Sequence, residues 1–339
     1  MKSTITVKTI AEKLGISSST VSRALSDHPR IGIRTKEKVK ELAKKLNYVA
    51  NPASEYLKTG KTMSVGFLVP SLKETYFSTI LFQLENLLAQ AGYHVVLFQS
   101  LEDMDREIAG SQFFLRLRVD AVVVSLAAST NNYLHFKQLE NCGIPVIFID
   151  RVPRNFQAHT IECEMKKSEV ESMELLKQMG IQKVGFINGP SNLAASDKRL
   201  NSYLTGILKC GFESSPRLIK TCDLTLDGVQ LAIHEILSDY PDLEAIVCFN
   251  DIIAMYAAHI VTEKKMAQQH IHFIGHGNLS INPYLAQPPL ASIEQFPEKM
   301  GQMAAKLFFK LMDMQGEDVP YFNWSFDSEL IIRDCFVQK

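Results

Sequence analysis

Hydroxyl side chains crowd a short stretch near the N-terminus: Thr6, then Ser17, Ser18, Ser19, Thr20 and Ser22, with Arg23 directly after. Hydroxyls bond phosphates and base edges, and a guanidinium forks onto the edge of a guanine, so this set suits contact with nucleic acid. Charge points the same way. Residues 1–62 carry 13 Lys and Arg against 5 Asp and Glu, whereas the remainder carries 23 against 32, so the net charge of -1 hides a basic module beside an acidic body. A second polar group lies farther along, each member at the end of a short apolar run. Ser71, Lys73, Glu74, Tyr76 and Phe77 follow SVGFLVP, Asp150 and Arg151 close PVIFID, and Arg199 lies in the SDKRL after KVGFING. Asn250 and Asp251 close EAIVCFN, and His276 and Asn278 follow HFIG. Carboxylate, guanidinium and amide groups beside an aromatic wall suit a polyhydroxylated or anionic small molecule.

The elements that carry the first group are helices. Thr6 precedes VKTIAEKLG, where Val7, Ile10, Ala11 and Leu14 share one face and Gly15 supplies the stop. After Ile16, SSSTVSRAL opens with capping serines and turns Val21, Ala24 and Leu25 inward, leaving Ser18, Ser19, Ser22 and Arg23 facing out. Two short helices joined by a tight glycine-containing turn describe a helix-turn-helix. A third amphipathic segment, TKEKVKELAKKLNY, with Val39, Leu42, Ala43 and Leu46 on one face, completes a small all-α head. From Met63 onward the apolar runs, rich in Val, Ile and Phe, alternate with helical patterns such as YFSTILFQLENLLAQAG. Such alternation predicts parallel sheets covered on both faces, with ligands outside the carboxyl ends of the strands.

Other function classes find little support. The six cysteines, Cys142, Cys163, Cys210, Cys222, Cys248 and Cys335, show no CxxC spacing, so neither a zinc site nor a disulfide framework is expected, and no cofactor is implied. No apolar run reaches membrane-spanning length and MKSTITVKTI lacks the features of an export signal, so a cytoplasmic, membrane-free protein is expected. The body contains no G-x-G-x-x-G after its first strand, no phosphate-loop motif and no G-x-S-x-G elbow, which counts against an enzyme. A stand-alone small-molecule-binding protein leaves the basic head unexplained.

The stretch TVKTIAEKLGISSSTVSRALSDHPRIGIRTKEKVKELAKKLNYVANP resembles the head of the lactose and galactose repressor family, TVSRAL being its most specific string. The resemblance implies base-reading roles for Ser18, Ser19 and Arg23, and backbone-contacting or supporting roles for Thr35, Tyr48 and Asn51. It also makes ASEYLKTGKT a hinge whose Leu57 inserts into the minor groove, with Glu55 a departure from the usual Arg or Gln. The body then resembles a periplasmic sugar-binding protein of two lobes. The implied organisation is a head over 1–49, a hinge over 50–62 and an effector-binding and dimerisation domain over 63–339. Its first lobe takes about 63–160 and 291–320, its second about 161–290 and 321–339. Implied too are a homodimer, a palindromic duplex DNA operator and a repressor controlled by a small molecule, with a carbohydrate as the leading candidate. Asp150, Arg199, Asn250 and Asp251 match the family's cleft positions. The chain departs from the family in GHGN for the usual GFDD, which leaves Gly277 in place of an acid, in Leu224 where an aromatic is common, and in Glu74 where Asn is common.

Overall fold

Thr6 and Ser17 start the first two helices as their positions predict. The computed structural model describes residues 5–48, 60–73, 75–191, 193–264, 270–314 and 319–333. Helix α1 (Val7–Leu14) begins at Thr6, whose hydroxyl accepts from Thr9 N–H, and ends at Gly15, where φ is 66°, a left-handed turn that costs glycine least. Helix α2 (Ser18–Leu25) is capped by Ser17, which accepts from Thr20 N–H. Helix α3 (Ile33–Lys45) starts slightly ahead of the expected segment, capped by Gly32. Ile10, Ala11, Val21, Ala24, Val39 and Ala43 form the buried centre of this head. The chain divides into two compact units, 1–62 and 63–339.

The larger unit is built on two six-stranded sheets. The first contains β1 (Ser64–Val69), β2 (His94–Gln99), β3 (Ala121–Val124), β4 (Val146–Ile149) and β5 (His159–Glu164), joined at the edge by β11 (Asn323–Asp327). The second contains β6 (Val184–Asn188), β7 (Ile219–Thr221), β8 (Ala245–Cys248), β9 (His272–His276), β10 (Ala291–Glu294) and β12 (Glu329–Ile332). All strand pairs are parallel except β10 with β12. Helices α4 (Thr75–Gln90) and α11 (Pro297–Asp313) cover one face of the first sheet, burying Ile80, Leu84, Ala304 and Phe308. Gly301 permits this approach, since a Cβ there would lie 2.7 Å from the Ile80 carbonyl. Helices α5 (Met104–Leu117) and α6 (Leu134–Asn141) cover the other face through Phe114, Phe136 and Leu139. In the second lobe, α7 (Lys166–Gln178) and α8 (Ala194–Cys210) lie on one face, and α9 (Leu226–Asp239) and α10 (Asp251–Glu263) on the other.

The lobe boundaries differ from those expected. β5 remains in the first sheet to Glu164, β10 remains in the second to Glu294, and the tail serves both, β11 in the first lobe and β12 in the second. The cause is burial: Ile161 and Phe326 fill the first core, while Ala291 fills the second. The chain therefore crosses between lobes near Met165, Gln295 and Ser328. These crossings are tied together, Ser328 N–H and hydroxyl donating to the Glu164 carbonyl at 3.0 Å and Gln295 Nε2 meeting Met165 Sδ.

His159 fastens the incoming tail. Its Nδ1 accepts Phe322 N–H at 3.2 Å, its ring stacks on Phe322, and burial pushes its pKa down to about 4 from 6.5. A folded value below the unfolded one means that the stabilising contribution is present above pH 6.5 and is lost as pH falls towards 4. The urea midpoint of the wild-type protein is therefore expected to fall more steeply through that window than that of His159→Gln. Parallel profiles would remove His159 from the pH dependence.

Candidate nucleic-acid interface and ligand cleft

On the head, Ser18, Ser19 and Arg23 are exposed along the outer face of α2, with Ser17 at its start. The Ser17 hydroxyl lies 2.8 Å from those of both Ser19 and Thr20, so the capping residue also fixes its neighbours' rotamers. Thr20 and Ser22 are half-buried, as are Thr35 in the first turn of α3 and Tyr48 against the head core. Thr6 is exposed and spends its hydroxyl on the cap of α1. Asn51 and Leu57 lie outside the described residues.

A brace missed in the sequence closes this face. Asp27 adopts a left-handed φ of 54° just past α2; its carboxylate pairs with Lys40 at 2.6 Å and its carbonyl accepts from Lys36 at 2.9 Å. The Lys40 hydrogen bond holds the Asp27 carboxyl below its ordinary range. The pair spans α2 and α3, a distance in sequence at which charge pattern carries no signal.

In the larger unit, the strand ends bring together part of the expected polar set. Tyr76 of the first lobe lies within electrostatic reach of Asp150 and Cys163 of the same lobe and of Arg199 of the second. Burial foremost, then Asp150 and Cys163, raise the Tyr76 hydroxyl pKa well above its usual value, while Arg199 opposes them. Burial also pushes the Cys163 thiol up to about 12, so it is a neutral group in this floor and not a thiolate. Asp150 sits just past β4 at a φ of 60°, with its N–H given to the Ile161 carbonyl. Arg199 is 9% exposed and stacks on Phe249 at 4.0 Å. A carboxylate, a phenol and a guanidinium thus converge across the cleft, arranged to accept from and donate to the hydroxyls of one small polar molecule.

The remaining expected residues are each held by protein partners. Phe77 is a core residue of α4, its ring edge-on to Tyr76 at 5.3 Å. Arg151 lies between two acids, Nη1 reaching both oxygens of Glu102 at 2.9 and 2.7 Å and Nε lying 3.9 Å from Asp150 Oδ2. Asn250 caps α10, its Oδ1 accepting Ile253 N–H at 2.9 Å. Asn278 donates to Glu294 at 2.9 Å and accepts from Arg333 at 2.6 Å. His276 is buried between the Cys248 carbonyl and Glu169. Glu74 lies outside the described residues.

Asp251 is engaged within its own lobe. It is fully buried, and its carboxylate accepts from Leu279 N–H (2.8 Å), Asn282 Nδ2 (2.7 Å) and the Ser292 hydroxyl (2.6 Å). Its position at the N-terminus of α10 favours that charge. Asp251→Ala leaves these donors without their acceptor and is expected to cost about 3 kcal/mol or more in chemical denaturation. A loss under about 1 kcal/mol would contradict this role.

Comparison with known proteins places both parts of the chain. The family described as periplasmic binding proteins and sugar binding domain of LacI family matches residues 62–322, and that described as bacterial regulatory proteins, lacI family, matches residues 6–51. The chain is 23% identical to the HTH-type transcriptional repressor CytR of Escherichia coli (strain K12), over 97% of this chain and 95% of that protein. It is 26% identical to the ribose operon repressor of Bacillus subtilis (strain 168), over 91% and 92%. Among solved structures, the lac repressor dimer bound to operator and the anti-inducer ONPF matches with a TM-score of 0.84 at 19% identity, over 98% of both chains. A CelR–cellobiose complex matches with a TM-score of 0.70 at 20% identity, over 97% and 99%.

Proposed function

The chain belongs to the LacI family of bacterial regulatory proteins, and from that premise we propose that it is a repressor whose hold on DNA is set by a small polar molecule between its lobes. The supporting observation is the pairing of two surfaces in one chain: an exposed Ser18, Ser19 and Arg23 face on a helix-turn-helix, and the Tyr76, Asp150 and Arg199 cluster drawn from both lobes. Two heads of a homodimer would each lay α2 in a major groove of a palindromic operator, with Thr6, Ser17, Thr20, Ser22, Thr35, Tyr48 and Asn51 on or behind the phosphates. Leu57 would open the central minor groove.

Asp150 accepting and Arg199 donating suit the hydroxyls of a carbohydrate. The ribose operon repressor and the cellobiose-bound CelR are relatives whose names carry sugars. The cleft binds in this reading and transforms nothing. No described helix is long and apolar enough to cross a membrane, in keeping with a regulator that works in the cytoplasm beside its DNA.

The test is selection of random duplex DNA by the purified protein, then binding at two salt concentrations with and without a panel of sugars and sugar phosphates. An enriched palindrome with a steep salt slope, and a sugar that shifts its affinity, are expected. Failure to enrich any sequence would remove the regulator reading.

A further inference from the structure

Between β3 and α6, residues 126–130 give three amides to backbone carbonyls, but the two at their centre go to carboxylates. Ala127 N–H donates to Glu107 Oε2 at 2.7 Å and Ala128 N–H to Glu102 Oε2 at 2.8 Å. Glu107 is fully buried, accepts from the Thr130 hydroxyl at 2.8 Å and meets His135 Nε2 at 3.0 Å, so it is a fixed post under the segment. Glu102 differs. Its side chain is 31% exposed, its φ is 63°, and the carboxylate that holds Ala128 also holds the Arg151 guanidinium. Arg151 follows the cleft residue Asp150, and its carbonyl accepts Leu126 N–H at 3.2 Å. On its other side the segment reaches across the cleft. Ala128 packs against the second-lobe cluster that contains Leu193, Cys222 and Phe249, residues beyond the carboxyl ends of β6, β7 and β8.

We propose that Glu102 is a positioning residue that links the ligand cleft to closure of the lobes. One carboxylate joins Arg151, beside Asp150, to the amide of the residue that first-lobe backbone presents to the second lobe. Arg151 and Ala128 share a single acceptor, so drawing the guanidinium towards a ligand at Asp150 loosens the seat of Ala128, and a firm seat holds the guanidinium back. Such a link shifts the open–closed balance only by the difference in Glu102's contacts between the two states. A partly exposed pair, one guanidinium nitrogen against both carboxylate oxygens, is of the right size for that, being strong enough to bias an equilibrium and weak enough to exchange partners. Its meaning for gene control rests on the effector-cleft reading above, but its existence does not.

The test is amide hydrogen exchange on the full-length protein without DNA or ligand, which reads local opening directly. In Glu102→Ala, exchange is expected to rise at least tenfold in peptides covering 126–130 and also in second-lobe peptides covering 186–191 and 222–226, with the β8 core unchanged as a check on folding. Glu102→Asp, too short to span both partners, should give the same pattern. Acceleration confined to 126–130 would make Glu102 a local brace and overturn the proposal, as would no acceleration at all. Spread of the effect across the cleft in a protein that enriches no operator would leave the link standing while the regulator reading falls.

Discussion

Arg23→Ala is expected to weaken sequence-specific DNA binding sharply while leaving the head folded. The side chain is exposed on α2, and among the described residues no carboxylate pairs with it, so its removal takes nothing from the core of Ile10, Val21 and Val39. Alanine is also the best helix former at such a site. A bidentate arginine–base contact contributes about 1–3 kcal/mol of discrimination, and a dimer would lose it in both half-sites, so the expected fall is at least about 30-fold in operator affinity. Nonspecific affinity should change little by comparison. Lys44→Ala, a change on exposed α3, provides the contrast: a smaller loss, spread evenly over all sequences, with a shallower salt slope. Binding of the enriched duplex and of a scrambled one, each at two salt concentrations, separates the two behaviours. An Arg23→Ala protein that keeps its full preference for the operator would transfer base reading to Ser18 and Ser19 or to residues beyond α2.

The head was legible because local signals determine it. Ser17, Gly15 and the spacing of Ile10, Val21 and Ala24 fix caps, turn and core within a few residues of one another. Strands buried on both faces, such as Ala121–Val124 and Val146–Ile149, announced themselves as unbroken apolar runs. The strands at the lobe crossings did not. HTIECE and NWSFD alternate because each has a partly exposed face, ASIE is short and buries a serine, and the sheet membership of all three depends on partners far away in sequence. The same limit governs the cleft. A polar residue after a strand looks alike whether it faces a ligand, as Asp150 does in our reading, or braces a loop, as Asp251 does with Leu279, Asn282 and Ser292. Glu102 with Arg151 and Asp27 with Lys40 are likewise products of the tertiary fold. Phe249 lay in plain view in CFN, but only its contact with Arg199 separates it from an ordinary strand-end aromatic.

Arg199 carries the second large expectation. Two effects compete for its role: stacking on Phe249 at 4.0 Å, and donation across the cleft in company with Asp150 and Tyr76. A cation over an aromatic ring contributes about 0.5–2 kcal/mol, whereas truncating one partner of a buried charged hydrogen bond costs about 2–5 kcal/mol. Donation therefore outweighs stacking in ligand binding. Arg199→Met tests this, because methionine keeps an apolar stem against Phe249 and removes every donor. Affinity for the sugar found in the operator screen is expected to fall at least about 30-fold, the lower end of that cost, with DNA binding of the ligand-free protein unchanged. Arg199→Lys should not rescue it, since an ammonium lacks the planar fork that can both stack on Phe249 and present paired donors. If Arg199→Met keeps its sugar while Arg199→Ala, which removes the stem as well, loses it, the stacked wall dominates, and the guanidinium is there to hold Phe249 in place.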